Sequence, residues 1–325
     1  MNTFGRRIAA VMLSIALPQS PAVADVTDSV HINQIQFVGS HNSYKKAMSG
    51  DDFQALLDRN PDAARALQYE HISLDDQLNL GIRKLELDVF WTPPSFTVGH
   101  VQKIDMNSHC STLTDCLGTI TTWSKQHPKH VPIWISLNTK DSYIEGLPRP
   151  KRFDAEAFAA LDQVLLSNLP NKLITPAVVK VANQPNWPTL AESRGRFLVI
   201  LDEGGDKQTL YAQSWRERPM FINVSKDHPA AAVMIINNPI SSLIQIQELV
   251  SRGYMVRTRA DADTHEARQN NTERREAAFK SGAQAISTDY YLPATFFGTD
   301  YVVKIPELIR CNPISAPQGC AGPFE

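Results

Sequence analysis

The sequence predicts an α/β chain folded as one distorted (β/α)8 TIM barrel. Short β-rich runs recur along it, and several, such as Phe197–Leu201 and Val233–Ile236, are nearly unbroken apolar segments, as expected of parallel strands covered on both faces. Helical patterns with their own start and stop signals lie between many of these runs. Polar and charged residues collect where the runs end, which is where barrels keep their active sites. An open doubly wound sheet is the runner-up, but no Gly-x-Gly-x-x-Gly fingerprint follows a strand.

The elements follow in order. Residues 1–24 read as a signal peptide: Arg6 and Arg7, an apolar stretch Ile8–Leu17 too short to span a bilayer, and Ala22-Val23-Ala24 as a cleavage site. Residues 25–325 form the barrel domain. The predicted strands are Ile35–Gly39, Ile82–Phe90, Phe96–His100, Val131–Asn138, Phe197–Glu203, Ala232–Asn237, Tyr254–Asp261 and Ala285–Tyr290. Ser73 caps a helix that Gly81 stops; Leu113–His127 ends before Pro128 and Asp154–Asn168 before Pro170. Ser241–Arg252 and Asn271–Ser281 end at Gly253 and Gly282. The connection Trp91–Ser95 has no room for a helix, so the barrel is expected to be irregular.

Composition narrows the function. Without the leader, 30 basic and 34 acidic residues give a net charge of −4, which offers nucleic acid no support. No later run is apolar enough for a membrane helix, so a secreted or periplasmic protein, monomeric and only transiently at a membrane, is expected. Four cysteines suit an oxidising compartment. Cys110 with Cys116 and Cys311 with Cys320 is the simplest pairing, although sequence does not fix connectivity.

The strand ends carry the chemistry. His41 and Asn42 follow the first strand, Glu86 and Asp88 lie in the second, and His100 ends the third. Asn138, Asp202, Glu203, Asn237, Arg257, Arg259, Asp261 and Asp289 end the others. Glu86 and Asp88 are two apart and share a strand face, opposite apolar Leu85, Leu87 and Val89. Two inward carboxylates must be paired, protonated or bound to a cation. Oxygen donors favour calcium, and magnesium less, over zinc; a salt bridge to Arg257 or Arg259 is the alternative. His41 and His100 stand apart from seven other histidines by their position, and two histidines can divide labour as base and acid. No Gly-x-Ser-x-Gly elbow, P-loop or His-Glu-x-x-His motif is present.

These residues resemble the calcium-dependent phosphoinositide-specific phospholipase C family. The likeness rests on Gly39-Ser-His-Asn-Ser-Tyr44, Gln77–Val89, Val98-Gly-His100, Pro132–Asp141, Val256-Arg-Thr-Arg-Ala-Asp261 and Ile286–Tyr290. It implies a distorted TIM barrel that cleaves phosphatidylinositol to diacylglycerol and inositol phosphate. It implies His41 and His100 as catalytic residues, Asn42, Glu86, Asp88 and Asn138 as calcium ligands, and Arg257, Arg259 and Lys140 as substrate-binding residues. Related enzymes carry a glutamate where this chain has Asn138, which lowers the ligand charge. A glycerophosphodiester phosphodiesterase, a sphingomyelinase-D-like transesterase and a non-catalytic lipid-head-group binding protein are the alternatives. Trp91, Phe96, Phe296 and Phe297 are candidate membrane-touching aromatics.

Overall fold

The computed structural model describes residues 26–179, 184–305, 309–320 and 324–325. The proposed signal peptide lies outside them. The strands are β1 (Ile35–Ser40), β2 (Lys84–Thr92), β3 (Ser95–Val98), β4 (Ile133–Thr139), β5 (Phe197–Leu201), β6 (Phe221–Ile222), β7 (Val233–Ile235), β8 (Met255–Arg259), β9 (Ala285–Thr288) and β10 (Ile309–Cys311). Eight of them form a parallel barrel in the order β6-β5-β4-β2-β1-β9-β8-β7. A parallel bridge between Asn223 and Val233 draws its two ends together. The Asn223 side-chain oxygen also accepts from the Ile235 amide at 3.0 Å.

One expected barrel strand is a different element. β3 pairs antiparallel with β2, from Val89–Val98 to Thr92–Ser95, and lies off the barrel path. The cause is connection length: Pro93-Pro94 allows only a hairpin, whereas a parallel crossover needs about a dozen residues. The missing barrel strand is β6, a two-residue strand parallel to β5. β10 pairs antiparallel with β1. His100 therefore sits beyond a hairpin, not at the end of a barrel strand. Trp91 and Phe96 pack tilted against each other within that hairpin, 4.7 Å between ring centroids, and are buried, so they belong to the core and not to a membrane face.

The helices cover the barrel for the reasons the sequence offers. In Leu113–Gln126, Thr112 and Asp115 form a capping box, and Leu113, Cys116, Leu117, Ile120 and Trp123 fall on the buried face at i, i+3, i+4 spacing. In Ala155–Asn168, Asp154 caps the first turn and Phe158, Leu161 and Leu165 pack inward. The helix Leu243–Ser251 buries Ile246, Leu249 and Val250, and Glu273–Ser281 ends at Gly282 with φ of 76°. Disulfides join Cys110 to Cys116 and Cys311 to Cys320.

His130, just before β4, shows how closely this core is satisfied. Its Nδ1 lies 2.6 Å from the Val131 carbonyl and its Nε2 lies 2.8 Å from Ser124 Oγ, an arrangement that suits the neutral ring. Burial, with help from Arg83, lowers its pKa to about 4. The unfolded ring therefore takes up a proton near pH 6.5 that the folded ring refuses, so stability falls as pH drops from 6.5 towards 4. The loss attributable to this ring is about 3 kcal/mol at the lower end. Urea titrations across that range should show the slope in the native chain and a shallower one in His130→Gln.

Candidate active site

Gly39 explains how the site is assembled. A Cβ there would lie 2.3 Å from Lys84 Cβ, so only glycine lets β1 and β2 approach with Lys84 between them. Lys84 is fully buried. Its ammonium donates to the Ser40 carbonyl at 2.9 Å, to Ser287 Oγ at 3.1 Å and to Glu86 Oε2. Arg257 Nη2 reaches the same Glu86 oxygen at 2.7 Å, and its Nη1 donates to Asn237 Oδ1. Burial opposes the charge on Glu86, but Lys84 and Arg257 outweigh it and hold the carboxyl well below its usual pKa. Burial lowers Lys84 to about 8, against the pull of Glu86.

Asp88 occupies the next inward position of β2. Its Oδ2 accepts from Tyr44 Oη at 3.0 Å and pairs with Lys140 Nζ at 2.9 Å. Its Oδ1 is buried and has no hydrogen-bond partner. Lys140 is the open member of this group, with 30% of its side chain exposed, whereas Arg257 keeps only 3%. Asn138 Nδ2 lies 3.3 Å from Glu86 Oε1. Asn42 adopts a φ of 46°, a left-handed turn that asparagine tolerates, and donates to Tyr69 Oη at 2.8 Å.

The two histidines are each faced by a carboxylate. His41 Nδ1 lies 2.9 Å from Asp289 Oδ1, and its Nε2 lies 3.5 Å from Glu86 Oε1. Arg259 Nη2 lies 3.4 Å from Asp289 Oδ2. Burial and then Arg259 depress the His41 pKa well below 6.5, which leaves its ring neutral. Asp261, whose pKa burial and Asp289 raise to about 7, accepts from the Asp289 amide at 2.9 Å. His100 Nδ1 faces Asp105 Oδ2 at 3.3 Å, off the line of a good hydrogen bond, and neither atom has another hydrogen-bond partner. Asp105 Oδ1 pairs at 2.8 Å with Lys45, which is fully buried.

The fold therefore brings Asn42, Glu86, Asp88, Asn138, His41 and Arg257 to one mouth, with Lys140 at its edge. His100 and Lys140 line a neighbouring cavity of about 230 Å³ with Phe90 and Ile144. A groove of about 670 Å³ opens beside Asp289, walled by Leu67, Tyr69, Tyr291, Leu292 and Phe296. Phe296 is 74% exposed. Lys84, Lys45 and Asp105 were not singled out in the sequence. Lys84 was discoverable, because it shares the even parity of Glu86 and Asp88.

A calcium ion is what the four oxygen-bearing residues lead one to expect, and the donor set does not fit one. Both carboxylates already carry cations: Lys84 and Arg257 on Glu86, and Lys140 on Asp88. Asp88 Oδ1 is the one carboxylate oxygen of this set without a partner, and calcium gathers six to eight oxygens. Among the described residues no group of three His, Cys, Asp or Glu is disposed to hold a metal.

An eight-stranded parallel barrel with two carboxylate-faced histidines and buried cations around its mouth is the architecture of a phosphodiester-cleaving barrel. The family described as phosphoinositide phospholipase C, Ca2+-dependent, matches residues 30–93 and 91–313, and the chain belongs to it. Among solved structures it is similar to a calcium-dependent phosphoinositol-specific phospholipase C from the Gram-negative Pseudomonas sp., with a TM-score of 0.55, 19% identity, and 90% of this chain and 100% of that one covered. It is also similar to a Ca2+-dependent phosphatidylinositol-specific phospholipase C from Streptomyces antibioticus, with a TM-score of 0.56, 17% identity, and 83% and 98% covered. A third similar structure is the phosphatidylinositol-specific phospholipase C of Listeria monocytogenes, with a TM-score of 0.54, 14% identity, and 84% and 96% covered. At these identities the likeness establishes the fold. No curated protein sequence matches the chain.

The Lys45–Asp105 pair beside His100 can be tested by unfolding. Lys45→Met strands a buried carboxylate and should cost about 3–5 kcal/mol in urea unfolding. Adding Asp105→Asn should recover part of that loss. Strict additivity of the two substitutions would mean that the pair is not coupled.

Proposed function

We propose that this chain is a phosphoinositide-specific phospholipase C. It cleaves phosphatidylinositol to diacylglycerol and an inositol phosphate, through a cyclic phosphate. The observation that carries this reading is the pair of histidines, each faced by a carboxylate, beside an apolar groove. A neutral His41, with Asp289 on Nδ1, keeps Nε2, 3.5 Å from Glu86 Oε1, unprotonated and able to take a proton. The inositol 2-hydroxyl gives that proton to His41 and attacks the adjacent phosphorus. A neighbouring hydroxyl held in place gains a large proximity advantage. The bond from phosphorus to the diacylglycerol oxygen breaks, and His100 protonates that oxygen. Lys140, the exposed cation of the mouth, and Arg259 offer charge to the phosphoryl oxygens. A water that gives its proton to His100 then attacks the cyclic phosphate, and His41 returns its proton to the 2-oxygen as that bond breaks. The inositol phosphate leaves by the mouth, and the diacylglycerol stays with the membrane.

The apolar groove supports a lipid over a water-soluble diester. Leu292 and Phe296 on its lip are exposed, which suits transient contact with a membrane surface. Two disulfides support work outside the reducing cytoplasm, in the periplasm or beyond the cell. Among the described residues no helix is long and apolar enough to cross a membrane. Calcium, which the family description names, enters none of these steps.

Release of inositol phosphates from phosphatidylinositol vesicles tests the reading. His41→Ala and His100→Ala should each lower kcat by roughly a hundredfold or more. An inositol p-nitrophenyl phosphodiester needs little protonation of its leaving group, so His100→Ala should be partly spared on it and His41→Ala should not. Turnover of glycerophosphoinositol with no attack on vesicles would instead assign a glycerophosphodiester phosphodiesterase.

A further inference from the structure

We infer that this active site supplies its own cation, so that Lys140, backed by Lys84 and Arg257, stands where a calcium ion would meet the substrate phosphate and the enzyme works without calcium. The inference rests on the phosphodiesterase reading above and concerns how that site manages charge. Four observations carry it.

Glu86 is a carboxylate already paired with two buried cations. Lys84 has 0% and Arg257 3% of its side chain exposed, so neither can swing out to water to make way for a metal. Lys84 is also anchored on the Ser40 carbonyl and Ser287 Oγ, and its path past β1 depends on Gly39. Displacing either cation would strand a buried charge, and breaking such a pair costs about 3–5 kcal/mol.

The charge count points the same way. In the ion pairs of the mouth three cations, Lys84, Arg257 and Lys140, face two carboxylates, Glu86 and Asp88. A dication would add to a set that already carries surplus positive charge, whereas an ordinary calcium site begins with surplus negative charge. The position on β4 level with Asp88 carries neutral Asn138, which removes a further charge from the set.

Lys140 is placed to act. It is the part-exposed cation of the three, and it lines the same cavity as His100. Its neighbour Asp88 would keep the Tyr44 hydroxyl at 3.0 Å when the ammonium turns to an incoming phosphate. Lysine suits this task as a compact point charge on a flexible stem. Lys84 and Arg257 act through Glu86 as positioning residues, and Lys140 is the catalytic one.

The step balances without a metal. The 2-hydroxyl proton passes to His41, the new phosphorus–oxygen bond forms as the diacylglycerol bond breaks, and His100 supplies the proton for the departing oxygen. Lys140 offsets charge on the non-bridging oxygens and transfers nothing.

Two measurements on the full chain decide the matter, and the first does not depend on turnover. In calorimetric titration with calcium chloride the native chain should give no binding heat, and its Tm should be the same in millimolar calcium as in excess EGTA. Saturable calcium binding would overturn the inference whatever the activity. In the vesicle assay, turnover should be unchanged by EGTA, and Lys140→Gln should lose about a hundredfold in kcat with no recovery on adding calcium. Turnover abolished by EGTA and restored by calcium would overturn it. If vesicles are not cleaved in either condition, the phospholipase reading fails, and the titration alone decides whether the mouth takes calcium. The double variant Lys84→Met/Asn138→Glu removes one cation and restores one carboxylate. It should acquire calcium binding and a calcium-dependent rise in Tm; if it does not fold, the native titration carries the test.

Discussion

The burial of Lys84 organises this molecule. A lysine with no exposed surface must find three acceptors, and it finds them on three strands: Ser40 at the end of β1, Glu86 on β2 and Ser287 on β9. These strands are neighbours in the barrel, so the ammonium ties together the place where its first and last parallel strands meet. The arrangement fixes Glu86, and Glu86 in turn meets Arg257 from β8 and Asn138 from β4. One buried charge thus ties a backbone carbonyl of β1 to side chains contributed by four further strands. A buried pair of this kind is weak evidence for stability but strong evidence for a constrained geometry, because its alternatives leave charges stranded.

The same constraint shapes the loop that carries His41. The chain leaves β1 through Ser40 and turns at once, with the His41 amide on the Thr288 carbonyl at 3.0 Å and the Ser43 amide on the Glu86 carbonyl at 2.9 Å. Ser43 Oγ accepts from the Glu86 amide at 2.7 Å, so the turn and β2 hold each other. Asn42 takes the left-handed position in the middle. The motif Gly39-Ser-His-Asn-Ser-Tyr44 is therefore a structural device as much as a chemical one. Glycine makes room for Lys84, asparagine bends the chain, serine staples it, and tyrosine caps Asp88.

The barrel class was legible in the sequence because buried parallel strands and capped amphipathic helices leave strong local signals. The helix at Leu113–Gln126 and that at Ala155–Asn168 match the expected segments within a residue or so, since Thr112, Asp154 and the following prolines punctuate them. β6 was invisible, because two residues, Phe221 and Ile222, form no periodicity. β3 was visible as a strand but was given the wrong role. The short Pro93-Pro94 connection requires an antiparallel partner, so connection length and not strand pattern decides the role of this segment. On the inward face of β2 the acids stand out first in the sequence. Alternation places residues 84, 86 and 88 together, so the lysine belonged to the same reading as the carboxylates. The Lys45–Asp105 support of His100 lay beyond sequence reasoning, since 60 residues separate two groups that only the folded hairpin brings together.

The two histidines differ in how they are held. His41 is enclosed between Asp289, Arg259, Tyr69 and Glu86, and the combined effect of burial and Arg259 keeps it neutral. Its carboxylate partner orients the ring without forcing a proton onto it, as the base of the proposed mechanism requires. His100 sits further out on the hairpin, with Asp105 as its facing carboxylate and open space on its other side. The asymmetry is set by architecture: one histidine is built into the barrel, and the other is carried on an antiparallel flap outside it. The hairpin that breaks the regular (β/α)8 pattern is thus the element that leads the chain to His100, the second proton-transfer group of the proposed mechanism.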